Sequence, residues 1–364
     1  MDLKAIPKGP LREGFTTGTS ATAAVKAALV SIIKQKKQRT VKVQLPIDKI
    51  LEIKIHSNIY ESNWAKCSVI KDAGDDPDVT NGAEVGCELK LTKSKDIIFL
   101  GGEGVGTVTL PGLELSVGEP AINPVPRQMM ESAVKKLLHD YDLECGVMIS
   151  VFVTNGKKLA KRTLNERVGI MNGLSILGTT GVVKPYSSAS YIASIVQGID
   201  VAIANTIDEL VINSGGRSEK YLRQLFPNSQ EQAFIHYGNW IGETLKKIKE
   251  SPPIRKVTIG IMLGKAVKLA YGKTDTHSCI SSWNKDFVAN IAKECGYDST
   301  KQNAIKDLNM AGRLIELFPL EQKALFYQKL LQKCYEQTQI IINKTELDIY
   351  LIGKDGDYIK YIKK

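Results

Sequence analysis

The chain lacks several features that would fix its class at once. Aromatic residues make up only 7% of its 364 positions, with no glycine-arginine tract and no stacked aromatic platform, so a nucleic-acid role has little support. Its six cysteines, Cys67, Cys87, Cys145, Cys279, Cys295 and Cys334, include no CxxC pair. That argues against a zinc knuckle and a disulfide scaffold and for reduced thiols. No uncharged apolar stretch approaches the ~18 residues needed to span a bilayer. Met1 to Leu11 is charged and proline-bearing, with no apolar signal region, so the expectation is a cytoplasmic protein with no membrane partner. There is no P-loop GxxxxGK[ST], no repeat of solenoid period and no long low-complexity tract.

Cationic charge is plentiful. The 49 Lys and Arg against 39 Asp and Glu give a formal charge of +10, part of it in patches such as Lys34 to Arg39 and Lys360 to Lys364. Such a field favours acidic partners, whether nucleic acid, an anionic membrane or a small polycarboxylate, and charge alone does not choose among them. A chain of this length also exceeds the size at which single cores stop growing, so two modules are expected.

The patterning divides accordingly. In the first half, strands are expected at Thr40 to Leu45, Ile50 to Ile55, Trp64 to Lys71, Gly86 to Thr92, Ile97 to Leu100, Thr107 to Leu110 and Gly146 to Phe152, with a helix over Pro126 to Asp140. This reads as α+β with a mixed or antiparallel sheet. The second half repeats strand, small-residue turn and helix. Strands are expected at Glu209 to Asn213, Ala233 to Tyr237, Lys256 to Met262 and Leu347 to Ile352, with helices from Ser187 to Asn205, from Ser218 to Phe226, after Asn239 and after Gly264, and two or three more before the last strand. That rhythm implies parallel βαβ units, about four parallel strands, and ligands at the C-terminal strand ends. The domains are placed at residues 1–190 and 191–364.

Seven segments stand out. Thr16-Thr17-Gly18-Thr19-Ser20 opens a helix of very small residues; such a start presents backbone N–H groups and hydroxyls to an anion, or is an ordinary N-cap on a closely packed helix. Lys71 to Gly82 holds four carboxylates, Asp72, Asp75, Asp76 and Asp78, within seven positions. It is either an aspartate-capped turn or a site where a base or a cation-binding carboxylate is needed, since crowding lifts a carboxylate pKa and makes it a useful acid or base. Gly102-Glu103-Gly104-Val105-Gly106 mimics a nucleotide fingerprint, but it continues as Thr107-Val108-Thr109-Leu110, strand rather than helix, and the motif reading is rejected. Gly178-Thr179-Thr180-Gly181 forms a second hydroxyl and glycine turn near the domain junction. Ser214-Gly215-Gly216-Arg217 and Gly264-Lys265 each sit at a strand-to-helix turn, where open α/β sheets bind ligands. Thr276-His277-Ser278 follows the Lys265 helix, with no Asp/Ser spacing that makes a hydrolase triad recognisable.

Taken in order, Arg12-x-Gly14-x-Thr16-Thr17-Gly18-Thr19, Lys71-Asp72-Ala73-Gly74-Asp75-Asp76-Pro77-Asp78-Val79-Thr80, Gly101 to Thr107, Gly118-Glu119-Pro120-Ala121-Ile122-Asn123-Pro124-Val125-Pro126-Arg127, Ser175 to Gly181 and Thr276-His277-Ser278 closely resemble the CbiD family, cobalt-precorrin-5B C1-methyltransferases of anaerobic cobalamin biosynthesis. The resemblance runs from about Arg12 to Ser278. It implies S-adenosylmethionine as methyl donor and a polycarboxylate tetrapyrrole as acceptor, with cobalt only as part of that substrate and no metal site in the protein. It also implies a permuted ribosomal S5 domain 2-like N-terminal α+β domain and a C-terminal α/β domain with a four-stranded parallel sheet. A homodimer is left open. Ser20 stands where the family usually has cysteine, Asn81 where it often has histidine, Asn165-Glu166-Arg167 replaces Asn-Pro-Arg, and Met262 to Lys265 follows its counterpart loosely.

On that resemblance the expected roles are as follows. A carboxylate among Asp72, Asp75 and Asp76 helps a proton leave. Lys26, Arg127, Arg167, Arg217 and Lys265 meet substrate carboxylates, together with the Thr16 to Ser20 turn, His277 and Ser278. Ser214, Gly215 and Gly216, and the turn of Gly178, Thr179 and Thr180, approach the methyl donor. Two other classes stay in view: a tetrapyrrole carrier, which would have no affinity for S-adenosylmethionine, and a phosphotransferase on the S5-like fold, which would bind nucleotide and magnesium.

Overall fold

The computed structural model describes residues 9–277, 281–343 and 345–363. The chain divides into two compact units that meet in sequence at Ser187 and Ser188.

The first unit opens with a two-residue strand β1 (Gly14–Phe15) and a long helix α1 (Thr17–Lys34). Strands β2 (Thr40–Gln44) and β3 (Ile50–Lys54) form an antiparallel ribbon. Then come β4 (Ser57–Tyr60), β5 (Trp64–Ile70), β6 (Glu84–Thr92), β7 (Ile97–Gly101), β8 (Thr107–Val108), α2 (Pro124–Asp140), β9 (Gly146–Val153), α3 (Gly156–Ala160), β10 (Ile170–Met171) and β11 (Val182–Val183). The main sheet runs β4-β5-β6-β9-β7, antiparallel except for the parallel β7–β9 pair. Helix α1 lies against β5, β6 and α2. It can approach so closely because Ala21, Ala23, Ala24, Ala27 and Ala28, all fully buried, project almost nothing from its surface. Alternation in β2 and β5 places Val41, Val43, Ala65, Cys67 and Val69 in the same core. Helix α2 begins two residues earlier than the pattern predicts, because Pro124 sits in its first turn, where no donor is needed.

The second unit contains α4 (Ser188–Ala204), β12 (Glu209–Asn213), α5 (Gly216–Leu225), β13 (Phe234–His236), α6 (Ile241–Glu250), β14 (Lys256–Met262), α7 (Leu263–Ala270), α8 (Lys285–Glu294), α9 (Ser299–Asp307), α10 (Leu314–Leu317), α11 (Leu325–Ile342), β15 (Glu346–Ile352) and β16 (Tyr358–Lys360). Its sheet is five-stranded, ordered β13-β12-β14-β15-β16. Strands β13, β12, β14 and β15 are parallel, while β16 turns back antiparallel to β15 at the edge. The sheet is therefore mixed, with one strand beyond the expected four. The central strands are buried along their length, Leu210-Val211-Ile212 in β12 and Val257-Thr258-Ile259-Gly260-Ile261 in β14, because both faces are covered. Ile212, Ile235, Ile259 and Ile349 join the core that includes residues of α4, α6, α7 and α11. On the opposite face Val211, Phe234, Tyr350 and Ile352 pack with Leu222 of α5. Helix α5 starts at Gly216, not Ser218.

Candidate functional site

The hydroxyl-rich start of α1 is closed from within the first unit. Thr16 caps the helix by accepting from the Thr19 N–H at 3.1 Å. The Thr19 hydroxyl donates to Gly181 O at 2.7 Å, and Ser20 Oγ donates to Thr16 O. Thr17 exchanges hydrogen bonds with both backbone groups of Leu177, and the Gly18 N–H donates to Leu177 O at 3.0 Å. A Cβ on Gly178, whose φ is +137°, would fall 2.3 Å from Thr16 Oγ1. Thr180 Oγ1 donates to Val182 O, leaving Thr179 exposed at the tip. The turn expected to approach the methyl donor and the helix start expected to meet the substrate are thus buttoned to each other. The hydroxyls of Thr16, Thr17, Thr19, Ser20 and Thr180 and the Gly18 N–H all have partners within the protein. Ser20, fully buried in the helix, is structural.

The acidic loop is also divided among partners. Asp72 receives both guanidinium nitrogens of Arg12 at 2.6 and 2.8 Å and the Gly74 N–H at 2.9 Å. The Arg12 hydrogen bond chiefly holds its carboxyl below the usual range, so Asp72 clasps Arg12 as a carboxylate. Asp75 accepts the Arg12 N–H at 2.6 Å. Asp78 meets Lys71 Nζ at 2.7 Å and caps Thr80 through both its N–H and its hydroxyl. Asn81 Oδ1 accepts the Ala73 N–H. Asp76 differs. Among the described residues it accepts one backbone N–H, from Tyr186 at 2.9 Å, and burial, reinforced by Asp78, raises its pKa. The upward shift expected of the cluster falls on this one carboxylate, and burial is its main cause.

Most of the proposed cations are occupied. Arg127 donates through Nε to Ile122 O, through Nη1 to Glu119 at 2.9 Å and through Nη2 to Pro120 O, all inside the loop before α2. Lys26 Nζ donates to Lys42 O at 2.6 Å, and burial lowers its pKa. Lys265 Nζ donates to Gly238 O, to Asn239 Oδ1 at 2.5 Å and to Thr276 Oγ1 at 3.4 Å. Burial first, then the charge of Lys268, pushes its pKa down to about 8. All three side chains are held by internal hydrogen bonds. Arg167 lies half-buried in a 3-10 turn at Glu166–Val168, and Arg217 is exposed in the first turn of α5. His277 is half-buried and its N–H donates to Asp275. Ser278 lies outside the described residues.

At the end of β12 the second unit leaves open space around a glycine turn. Gly215, at φ +143°, and Gly216 would carry a Cβ into open space, and α5 has no side-chain N-cap. Ser214 and Ser218 share a hydroxyl contact at 3.2 Å. Asn213, fully buried, uses Oδ1 to accept the Gly215 N–H, while its Nδ2 has no partner among the described residues. An unpaired buried amide costs about 1–3 kcal/mol, which a ligand at the turn would offset. In register beside Asn213 on β13, His236 bonds Glu219, and Glu219 also pairs with Arg223 at 2.7 Å. Sequence reasoning missed Asn213, although its place as the last strand residue before Ser-Gly-Gly was available as a signal; nothing local linked His236 to Glu219. Among the described residues no helix is long and apolar enough to cross a membrane, and no three metal-ligating side chains gather.

A chain built from an α+β unit and an α/β unit with glycine turns at its strand ends has the form of a two-module enzyme. The CbiD family pattern matches residues 5–185. A cobalt-precorrin-5B C(1)-methyltransferase from Priestia megaterium is 41% identical over 98% of this chain and 98% of its own, and one from Prosthecochloris aestuarii is 43% identical over 90% and 89%. A crystal structure of the cobalamin biosynthesis protein cbiD from Archaeoglobus fulgidus is 28% identical, covers 79% of this chain and 86% of its own, and superposes with a TM-score of 0.40, too loosely to carry an argument. The chain belongs to the CbiD family.

Proposed function

We propose that this protein methylates C1 of cobalt-precorrin-5B, giving cobalt-precorrin-6A, with S-adenosylmethionine as donor, as a cytoplasmic enzyme of cobalamin biosynthesis. The observation that carries the reading is the relative of that activity, 41% identical along 98% of both chains. The first unit is read as S5 domain 2-like and the second as a Rossmann-like module of four parallel strands with an added edge strand; α1 packed on a mixed sheet and the parallel β13-β12-β14-β15 order support this.

S-adenosylmethionine, when bound, supplies a methyl already activated on sulfonium sulfur, so no protein nucleophile is needed. What remains for the chain is to orient, exclude water and take a proton. The open space above Gly215 and Gly216, the free start of α5 and the unpaired Asn213 amide suit the donor's polar groups, with Ser214 beside them. Asp76, partly desolvated and with no cation hydrogen-bonded to it among the described residues, is the loop carboxylate suited to accept the proton that the macrocycle releases from another position when C1, a ring carbon with no hydrogen of its own, bonds the methyl. Asp75 stands beside it in sequence, its carboxylate anchored on the Arg12 N–H. Arg217, exposed at the start of α5, and Arg167 remain assigned to substrate carboxylates, with His277 and Ser278.

The test is an anaerobic incubation with S-adenosylmethionine and cobalt-precorrin-5B, following corrinoid mass. Gain of one methyl with matching S-adenosylhomocysteine supports the reading. Tight corrinoid binding without transfer favours the carrier.

A further inference from the structure

The first unit carries a strip of cations, most of which no role above uses. Between residues 155 and 167 the sequence has five cations, Lys157, Lys158, Lys161, Arg162 and Arg167, against a single carboxylate, Glu166. Lys157, Lys158, Lys161 and Arg162 are exposed, and none of the four pairs with a carboxylate among the described residues.

The fold holds this strip out rigidly. Asn155 enters α3 in the left-handed region, φ +60°. A Cβ on Gly156 would lie 2.3 Å from Gly104 O, so the start of α3 presses on the glycine turn after β7. Ala160 is buried and Leu159 packs against the core, which turns the four cations outward. Past the helix, Thr163 Oγ1 returns to Ala160 O at 2.7 Å, and Asn165 Nδ2 reaches Gly173 O and Ser175 Oγ. Like charges one turn apart, Lys157 with Lys161, repel by a few tenths of a kcal/mol. Leu164, 44% exposed, follows directly.

We propose that Lys157, Lys158, Lys161 and Arg162 receive the acetate and propionate carboxylates of the macrocyclic substrate, with Leu164 offering apolar surface to its ring. This rests on the methyltransferase reading above. An unneutralised, pre-positioned row of cations matches a ligand whose carboxylates surround a flat body, and it replaces the internally spent Lys26, Arg127 and Lys265.

The test compares the full-length protein with K157E/K158E, K161E/R162E and the quadruple variant. These positions are exposed, and unchanged circular dichroism together with unchanged S-adenosylmethionine affinity establishes the fold. The quadruple variant is expected to raise KM for the corrinoid at least tenfold with kcat within twofold, and to flatten the salt dependence of KM. Equilibrium binding of a stable cobalt corrinoid polycarboxylate, read by its visible spectrum, should weaken in the same order, while its methyl ester binds weakly to all forms. Unaltered KM and unaltered polycarboxylate binding in the quadruple variant overturn the assignment. If wild type transfers no methyl but binds the polycarboxylate through these four residues, the methyltransferase reading fails and the strip stands.

Discussion

Lys71 and Asp78 form a buried ion pair across the acidic loop, Nζ to Oδ2 2.7 Å, with only 1% of the lysine side chain exposed. Burial alone would raise the Asp78 pKa, but the Lys71 charge and hydrogen bond and the two bonds from Thr80 overcome it, and the net direction is down. A carboxyl whose folded pKa is depressed contributes stability that is present above its unfolded pKa, near 3.8, and is lost as pH falls through the folded value. Lys71→Met removes the cation facing Asp78, which is 26% exposed and keeps both Thr80 hydrogen bonds, and should cost about 1–3 kcal/mol. Urea titration at neutral pH measures it, and the wild-type advantage should shrink below the unfolded carboxyl pKa.

Asp72 and Asp76, four residues apart, should behave differently on substitution. Asp72→Asn loosens the Arg12 clasp but touches no proposed proton transfer, so turnover should stay within a few-fold. Asp76→Asn keeps an oxygen for the Tyr186 N–H and loses the base, so kcat should fall by about 10²–10⁴. Because the Asp76 pKa is raised, wild-type kcat should decline with falling pH at a higher pH than an ordinary aspartate would give, and D76N should lack that limb. A pH–rate profile of both variants decides this.

Gly178 is fixed by its partner across the sequence. Its φ of +137° and the 2.3 Å at which an added Cβ would meet Thr16 Oγ1 predict that Gly178→Ala costs roughly 1–3 kcal/mol and loosens the start of α1. Amide exchange at Gly18 and Thr19 should rise with it.

Gly216 has open space instead. Gly216→Leu should therefore leave thermal stability unchanged and weaken S-adenosylhomocysteine binding at least tenfold by filling the space above β12. Calorimetry with both forms separates the effects.

Regular elements were the most legible part of the chain. Leu210-Val211-Ile212 and the apolar-rich Val257 to Ile261 are bounded by turn residues, and they form parallel strands at the expected positions. The short strands β1 and β11 were not legible, because each exists only through the other, Phe15 standing in register against the sequence-distant Val182. The same separation hid the fate of Thr16 to Ser20: a helix start looks open until the residues that cover it are known. Arg127 is a different case, since Glu119, Pro120 and Ile122, which take its guanidinium, lie in the same segment and could have signalled an internal clasp. Strand β16 was missed although Gly353-Lys354-Asp355-Gly356-Asp357 is a hairpin turn. In the acidic loop, spacing showed that some carboxylate would be perturbed, but choosing Asp76 over Asp72 required the position of Arg12.

The most direct measurement uses S-adenosylmethionine carrying a ¹³C methyl and cobalt-precorrin-5B under anaerobic conditions, with the product examined by NMR and mass spectrometry. One new labelled methyl, attached at C1 and formed in step with S-adenosylhomocysteine, is the predicted result. A label at any other ring position, or none in a protein that binds both ligands, would contradict the proposed function.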